Sequence, residues 1–240
     1  MEPVISVIIV VLNGEKTIRR AIESVLCQTY AQTELLIVDG GSSDQTLAIV
    51  EPYIGRTSYF VSKRDNGIYD AMNHALSQCK GDWCLFLGCD DVLIDCFHRV
   101  APRLVNGQHV YYGNVIFRSS GDIYCGRFSK AKLACINICH QAIFYPKSSF
   151  AKPYDTEYRL LADYKYNIEL WGSGALFKYL GYVIADYNDL GSAAPGDKRF
   201  SADKVRILRA NLGWGPALIW RLIELALPLY RRLRRAGWIS

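Results

Sequence analysis

The first hundred residues alternate between short apolar runs and amphipathic segments, and this alternation limits the possible folds more than any other feature. Four runs have the aliphatic composition of strands buried on both faces: 4–12, 34–38, 58–61 and 83–87. The segments between them predict helices at 14–29, from a Ser42 or Ser43 cap to Pro52, and at 67–79. Strands alternating with helices predict an α/β fold with a mainly parallel sheet.

A group of residues suited to ligand binding, most of them with polar side chains, follows the end of each of these strands. They are Asn13 and Glu15, Asp39, then Asp65, Asn66 and Gly67, and finally Asp90 and Asp91. Each of the first three groups, taken singly, is also typical of an ordinary turn. Ligands of open parallel sheets bind beyond the carboxyl ends of the strands. We therefore expect the four groups to converge at one edge of the sheet.

Asp90 and Asp91 are the most informative of these residues. Ionised groups near a dry interior need a partner. Carboxylate oxygens suit Mg²⁺ or Mn²⁺, and Mg²⁺ usually takes one or two protein carboxylates together with substrate phosphates. A helix N-cap is the structural alternative. The chain has no Gly-x-Gly-x-x-Gly and no Walker-type sequence, which disfavours dinucleotide or P-loop binding.

Composition excludes several other classes. Half of the 240 residues are hydrophobic, so a sizeable core is expected. The N-terminal apolar run is too short to span a membrane and lacks the flanks of a signal peptide. Eight cysteines without a secretory segment predict free thiols. Cys135, Cys139 and His140 suggest zinc only weakly, because a second ligand pair is missing.

The net charge of +5 belongs to the C-terminal end of the chain. Seven arginines against one glutamate give residues 206–240 a charge of +6, which leaves the other 205 residues at −1. A nucleic-acid-binding face is therefore not indicated.

The second half follows a different pattern. It predicts a hairpin at 109–118 and 123–128, a strand at 138–145, a helix at 161–171 and a strand-rich stretch at 175–185. A loop at 191–197 then separates this body from a tail.

Five stretches resemble the family 2 glycosyltransferases, in matching order. They are 5–9 with Asn13, 24–30 (SVLCQTY), 34–44 (ELLIVDGGSSD), 65–73 (DNGIYDAMN), and Gly81-Asp82 ahead of Asp90-Asp91. The resemblance covers roughly residues 4–190. Within the family, the chain is similar to the bacterial capsule, O-antigen and colanic-acid type enzymes. It implies the GT-A fold, a Rossmann-like fold of nucleotide-diphospho-sugar transferases, with a nucleotide-binding half at 1–100 and an acceptor-binding half at 101–198.

The resemblance also implies roles for the residues at the strand ends. Asp39 would contact the base, since a carboxylate can accept the N3–H of uracil or thymine. Asp91 would hold the metal, with Asp90 near the ribose or sugar. The remaining substrate-binding residues are Asn13, Glu15, Asp65, Asn66, Gly67, Asp70 and Asn73.

The stretch 158–164 (YRLLADY) resembles the segment that carries the catalytic base, which makes Asp163 the candidate. An inverting transfer needs a carboxylate opposite the leaving diphosphate to take the proton of the attacking hydroxyl. Many members have an acidic residue directly before this position, where this chain has Ala162. A helix N-cap is the structural alternative for Asp163. His140 lies in a stretch that resembles the acceptor site, with a structural histidine as its alternative.

The resemblance therefore implies an inverting glycosyltransferase that depends on Mn²⁺ or Mg²⁺. It would move one sugar from a UDP- or dTDP-sugar to a glycan or polyprenyl-diphosphate-linked acceptor in bacterial surface polysaccharide synthesis. The Gln-x-x-Arg-Trp motif of processive members is absent, which favours a single addition. Two alternatives stay open: a sugar nucleotidyltransferase, and a non-catalytic nucleotide-sugar-binding membrane scaffold.

The tail, residues 199–240, predicts that the protein associates with the membrane surface. Residues 215–230 are strongly apolar but hold Arg221, Glu224 and Pro228, which is too interrupted for a membrane span. A helix lying on the anionic cytoplasmic face of the membrane is predicted by Trp214, Trp220, Trp238, Arg231, Arg232, Arg234 and Arg235. The alternatives are a helix packed on the body and a homodimer interface.

Overall fold

The computed structural model describes residues 2–124, 126–190 and 196–235, and for 227–235 it describes the backbone only. The strands are β1 Ile5–Val11, β2 Thr33–Asp39, β3 Tyr59–Ser62, β4 Trp83–Gly88, β5 Val92–Leu93, β6 His109–Phe117, β7 Ile123–Tyr124, β8 Ile143–Pro146 and β9 Leu176–Tyr187. The α-helices are α1 Ile18–Leu26, α2 Thr46–Val50, α3 Ile68–Gln78, α4 Phe97–Val100, α5 Lys130–Cys135, α6 Ala162–Gly172, α7 Lys198–Leu212 and α8 Trp214–Arg235. Short 3₁₀ turns lie at Glu51–Arg56, Ala101–Arg103, His140–Ala142 and Lys147–Ala151.

The described strands form one sheet in the order β3-β2-β1-β4-β8-β6-β9-β5, with β7 paired to β6. Strands β1 to β4 are all parallel to their neighbours among these four. β8 joins antiparallel to β4, while β9 runs parallel to β6 over most of its length. Most of the strand pairing is parallel and helices flank the sheet, so the predicted α/β fold with a mainly parallel sheet is confirmed.

Burial on both faces explains the unbroken apolar runs. Every residue of β1 is buried, and its side chains alternate between two cores. Ile8 faces one core, and Ile9 faces the other. Helix α1 covers the second core with Ile18, Ala21, Ile22 and Val25, which lie on one helical face. Each fully buried aliphatic side chain contributes about 1.5–3 kcal/mol, so these strands hold the loops at their ends rigidly.

The predicted strand at 138–145 is wrong in its first half. A 3₁₀ turn occupies His140–Ala142, and the strand covers only Ile143–Pro146. The reason lies in the polar side chains of this stretch. Asn137 and Gln141 donate to carboxylates elsewhere in the protein, which an extended strand would not allow.

Three smaller predictions also need correction. Neither Ser42 nor Ser43 caps α2, because the helix begins at Thr46, whose N–H donates to Asp44. The first helix, predicted at 14–29, is confined to α1. The second strand of the hairpin, predicted at 123–128, ends at Tyr124 as β7.

The tail is two helices that pack on the body. Asp197 caps α7 by accepting the N–H of Phe200 at 3.0 Å, and Gly213, with φ +89°, separates α7 from α8. α7 packs on α6, and α8 packs on α5 and α7. Within the described residues, none of the helices has the length and apolar character that crossing a membrane requires.

Part of the tail prediction lies outside the described residues. This applies to positions 191–195 of the predicted loop, to Trp238, and to the side chains of Arg231, Arg232, Arg234 and Arg235. The domain boundary at 198 stays a prediction. Trp220 packs inward, with the ammonium of Lys204 3.2 Å from its ring, whereas Trp214 is exposed.

Candidate active site

The carboxyl ends of β1, β2, β3 and β4 bring the predicted loops to one edge of the sheet. In the register, Val11 pairs with Asp39 and Asp39 with Ser62. On the other side of β1, Val10 pairs with Gly88. The four groups that follow these strands are therefore neighbours.

Asp39 is completely buried, and both of its carboxylate oxygens are occupied within the protein. Oδ2 accepts the N–H groups of Gly41 and Ser42, both at 3.0 Å, and the hydroxyl of Ser62 at 2.6 Å. Oδ1 accepts the hydroxyl of Ser42 at 2.5 Å. This carboxylate therefore fixes the shape of the loop after β2, and its contact with a base stays a prediction.

Asn13 and Glu15 tie the loop after β1 to the loop after β2. The amide oxygen of Asn13 accepts the N–H of Ser43 at 2.9 Å, and Glu15 Oε2 accepts the N–H of Gln45 at 3.0 Å. Asn13 has φ 55°, a left-handed conformation that asparagine tolerates better than most residues. Both residues have clear loop-building roles.

The loop after β3 is also held by carboxylates that accept backbone N–H groups. Asp65 Oδ1 accepts the N–H of Gly67 at 2.9 Å, and Asp70 Oδ2 accepts the N–H of Asn66 at 3.0 Å. A Cβ at Gly40 would lie 2.5 Å from Asp65 Oδ2, so only glycine allows the two loops to approach this closely. Asn66 and Gly67 remain exposed at the tip of the loop.

Asn73 joins the two halves of the protein. Its Nδ2 donates to the carbonyl of Tyr154 at 2.9 Å, and its Oδ1 accepts the N–H of Tyr154 at 2.8 Å. Both ends of the amide are therefore used to hold α3 against the chain before α6. A contact of Asn73 with substrate stays a prediction.

Asp91 is 1% exposed and accepts hydrogen bonds at both oxygens. Asn188 donates its N–H to Oδ1 at 2.8 Å, and Gln141 Nε2 donates to Oδ2 at 2.7 Å. The half-buried Asp90 accepts from Asn188 Nδ2 at 2.9 Å, and its carbonyl accepts from Arg118 at 2.9 Å. The next element is strand β5, so neither aspartate caps a helix.

The surroundings of Asp91 suit a cation. Burial raises the pKa of the Asp91 carboxyl to about 6, and the neighbouring charge of Asp90 adds to this effect, while the hydrogen bonds from Asn188 and Gln141 and the charge of Arg118 oppose it. No group of three or more His, Cys, Asp or Glu converges in the part of the chain that the structure describes. A metal at Asp91 would therefore need further ligands from a substrate, which matches the chemistry of Mg²⁺ and Mn²⁺ on diphosphates. The residues fit the predicted metal.

Asp163 lies in the first turn of α6 and is 7% exposed. The hydroxyl of Tyr69 donates to Oδ1 at 2.6 Å, and Asn137 Nδ2 donates to Oδ2 at 2.7 Å. The N-cap position belongs to Leu161, so Asp163 does not cap the helix. Both donors are neutral, because burial raises the pKa of Tyr69 well above its usual value. The two hydrogen bonds orient the carboxyl group of Asp163.

Residues 137–141 connect the two carboxylates, and we call them the bridge segment. Asn137 at one end donates to Asp163, and Gln141 at the other donates to Asp91. Between them, His140 stacks on Phe86 with ring centres 4.7 Å apart. Its Nε2 lies 2.9 Å from the hydroxyl of Tyr154, and burial lowers its pKa. His140 therefore has a packing role, and its contact with an acceptor stays a prediction.

The cysteines of this region do not form a zinc site. Cys135 Sγ donates to the carbonyl of Ala131 at 3.2 Å, and Cys139 Sγ donates to Gln141 Oε1 at 3.0 Å. Among the described residues, no two cysteines are joined by a disulfide.

Tyr187, at the end of β9, shows that the carboxylates share one region. Burial raises the pKa of its phenol to about 12, with smaller contributions from the charges of Cys139, Asp91, Asp90 and Asp163. One hydroxyl thus lies in the field of all three carboxylates, from both halves of the chain.

Sequence reasoning missed the residues that donate hydrogen bonds to Asp90, Asp91 and Asp163: Tyr69, Arg118, Asn137, Gln141 and Asn188. Tyr69 lies inside the DNGIYDAMN stretch, which was a usable signal. Asn137 and Gln141 flank Cys139 and His140, but nothing in that stretch indicates which carboxylate each one contacts.

The mostly parallel central sheet flanked by helices is that of a GT-A fold. Residues 6–168 match the family described as Glycosyl transferase family 2. The chain therefore belongs to this family and is a glycosyltransferase. This identification sets aside the nucleotidyltransferase and the non-catalytic scaffold.

Three known proteins illustrate the similarity. A PGL/p-HBAD biosynthesis glycosyltransferase of Mycobacterium tuberculosis is 40% identical over 202 residues, which cover 79% of this chain and 78% of the relative. The structure of S. aureus TarS 1-349 in complex with UDP-GlcNAc has a TM-score of 0.71 at 18% identity, covering 87% of this chain and 66% of TarS. The mannosyltransferase PcManGT from Pyrobaculum calidifontis, in complex with GDP-Man and Mn²⁺, has a TM-score of 0.65 at 14% identity, covering 98% and 83%. The two solved structures show the fold.

Proposed function

We propose that this enzyme is inverting and metal-dependent, and that it moves one sugar from a UDP- or dTDP-sugar to a hydroxyl of its acceptor. The observation that carries the proposal is the pair of buried carboxylates, Asp91 and Asp163, joined by the bridge segment. One is suited to a cation and the other to a proton. Inverting transfer needs both functions on opposite sides of the sugar.

Asp91 would hold Mn²⁺ or Mg²⁺, with Asp90 beside it. When bound, the cation stabilises the charge that develops on the leaving diphosphate. Gln141 and Asn188 orient the two oxygens of Asp91 for this role.

Asp163 would act as the general base. The acceptor oxygen attacks the anomeric carbon, and its proton passes to the Asp163 carboxylate. The bond between the sugar and the diphosphate breaks, and its electron pair leaves with the diphosphate. Tyr69 and Asn137 hold one oxygen each, which limits the orientations of the base.

The known relatives support the donor and the metal in this proposal. TarS has been solved with UDP-GlcNAc and with UDP, and PcManGT with GDP-Man and Mn²⁺. The mycobacterial relatives are named for PGL/p-HBAD biosynthesis. For this chain we propose a glycan or polyprenyl-diphosphate-linked acceptor in bacterial surface polysaccharide synthesis, reached at the cytoplasmic face of the membrane.

The proposal is tested with Asp163→Asn. A donor is first identified by screening UDP-, dTDP- and GDP-sugars for thermal stabilisation with Mn²⁺ present, since a ligand that binds the folded state raises its stability. We expect kcat to fall roughly 10²–10⁴-fold in the variant. The Kd of the donor should stay nearly unchanged, because Asp163 acts on the acceptor. NMR of the product should show an inverted anomeric configuration.

Asp122→Asn is the matched control, because Asp122 is exposed in the β6–β7 turn. It should behave like wild type. A fully active Asp163→Asn variant, or a product with retained configuration, would contradict the proposed mechanism.

A further inference from the structure

Helix α8 is attached to the body through one face. Ala217 is buried on that face, and the ring centre of Trp220 lies 3.2 Å from the ammonium of the buried Lys204. The same ammonium lies 4.7 Å from the ring centre of Tyr164 on α6. A cation enclosed by aromatic rings is a favourable contact when it is desolvated. It fixes the orientation of α8, and therefore also determines which face points outward.

The outward face is an apolar stripe of four side chains, which we call the α8 stripe. Its members are Trp214, Leu218, Leu222 and Leu225, spaced by four, four and three residues as one helical face requires. Their exposed fractions are 65%, 55%, 68% and 67%. Contiguous apolar exposure of this kind marks an interaction surface.

A cationic groove lies beside the stripe, between α7 and α8. Its volume is about 540 Å³, and its lining includes Trp214, Arg206, Arg209, Arg221 and Glu224. Arg206 and Arg221 are ion-paired with Asp203 and Glu224. Arg209 pairs with no carboxylate among the described residues, and its guanidinium lies 5.0 Å from the ring centre of Trp214. A guanidinium can bind a lipid phosphate while the exposed indole beside it lies at the boundary between the headgroups and the acyl chains.

We propose that the α8 stripe and this groove dock the protein on an anionic bilayer, with the stripe among the upper acyl chains and Arg209 at a lipid phosphate. Residues 206–240 carry a charge of +6 and the other residues −1. Two copies paired through this face would bring like charges together, whereas an anionic surface attracts them. The proposal rests on the membrane location proposed above and specifies which surface of the protein contacts the membrane. It does not depend on Asp163 being the general base.

The full chain is tested by co-sedimentation with sucrose-loaded vesicles of phosphatidylcholine containing about 30% phosphatidylglycerol. We expect binding to these vesicles, much weaker binding to pure phosphatidylcholine, and weaker binding at high salt, because surface charges are screened. The Leu218→Ser/Leu222→Ser variant should lose more than about tenfold in partition coefficient, because binding scales with buried apolar area. Arg209→Gln should lose about fivefold, which corresponds to about 1 kcal/mol for one basic residue near the surface.

Matched controls come from exposed residues elsewhere. Val105→Ser/Leu190→Ser removes two side chains that are 80% and 78% exposed, and Arg103→Gln removes an exposed arginine. Both should bind vesicles like wild type. Thermal unfolding and donor binding of the stripe variant should match wild type, which separates a docking defect from a folding or catalytic one.

Three results would overturn the proposal. The first is no preference for anionic vesicles by the full chain. The second is a stripe variant that binds them as wild type does. The third is a stripe variant that changes from dimer to monomer in solution while its vesicle binding is unchanged, because the stripe would then be an interface between copies.

Discussion

The carboxylates at this sheet edge are held in two different ways. Those of the first three loops accept hydrogen bonds mostly from backbone N–H groups nearby in sequence or in the adjacent loop, as Asp39 and Asp65 do. Among the described residues, Asp163 accepts from the side chains of Tyr69 and Asn137, and Asp91 accepts from Gln141 and from the N–H of Asn188. Each of these four donors lies far along the chain from the carboxylate that it contacts, by 26 to 97 positions. The first group shapes loops, while the second is positioned only when both halves of the fold are assembled.

The strongest test of this difference is Asp91→Asn. The asparagine keeps the shape of the side chain but loses the charge that would bind a cation. We expect kcat/KM to fall roughly a thousandfold at saturating Mn²⁺, since charge stabilisation of the leaving group is worth several kcal/mol. Mn²⁺ should no longer enhance donor binding, measured by calorimetry. An unchanged Mn²⁺ dependence would assign the metal to another residue.

The same variant should be more stable than wild type when metal is absent. The pKa of Asp91 rises from 3.8 to about 6 in the fold, so the folded protein binds this proton more tightly than the unfolded chain. Wild-type stability from this group is therefore full at low pH and is lost as the pH rises through about 6. Above pH 6, Asp91→Asn should gain about 1–3 kcal/mol in free energy of unfolding. Urea unfolding with EDTA at low and neutral pH measures this difference, and identical pH dependence of the two proteins would contradict it.

The same division explains what the sequence could predict. The apolar run at 83–87 correctly predicted strand β4. Because parallel strands end at the same edge of a sheet, the polar groups that follow such runs predicted that Asp39, Asp90 and Asp91 lie at that edge. The hydrogen bonds of the second group join residues 26 to 97 positions apart. No local pattern encodes such separations, and only the resemblance drew attention to Asp163.

The errors have a similar cause. The apolar residues of 138–145 predicted a strand, but side-chain hydrogen bonds from Asn137 and Gln141 impose a 3₁₀ turn at its start. Trp220 fitted a membrane-facing tryptophan by composition, but the buried Lys204 holds it inward. Tertiary contacts override local tendencies at both places.

An intermediate effect is expected when one donor to Asp163 is removed. Asn137→Ala or Tyr69→Phe leaves the base in place but removes one of its two hydrogen bonds. We expect kcat to fall about 10–100-fold with the donor KM unchanged, because misplacement of a catalytic group mainly affects the chemical step.

Tyr166→Phe is the control for this pair. Tyr166 is also buried, but its hydroxyl donates to the carbonyl of Ser149 and not to a carboxylate. It should lose stability while kcat and the donor KM stay close to wild type. Equal kinetic changes in Tyr69→Phe and Tyr166→Phe would mean that Tyr69 only packs.

The smallest effect is expected for Glu15→Gln, in the loop group. Glu15 Oε2 accepts one hydrogen bond, from the exposed N–H of Gln45 at 3.0 Å, and the amide oxygen of glutamine can accept it equally well. Activity should stay within about twofold of wild type and stability within about 0.5 kcal/mol, as for ordinary surface substitutions. Steady-state kinetics and thermal unfolding check both values. A loss of donor affinity comparable with that of Asp91→Asn would mean that Glu15 contacts the substrate. The division into loop-shaping and reacting carboxylates would then be wrong for the loop after β1.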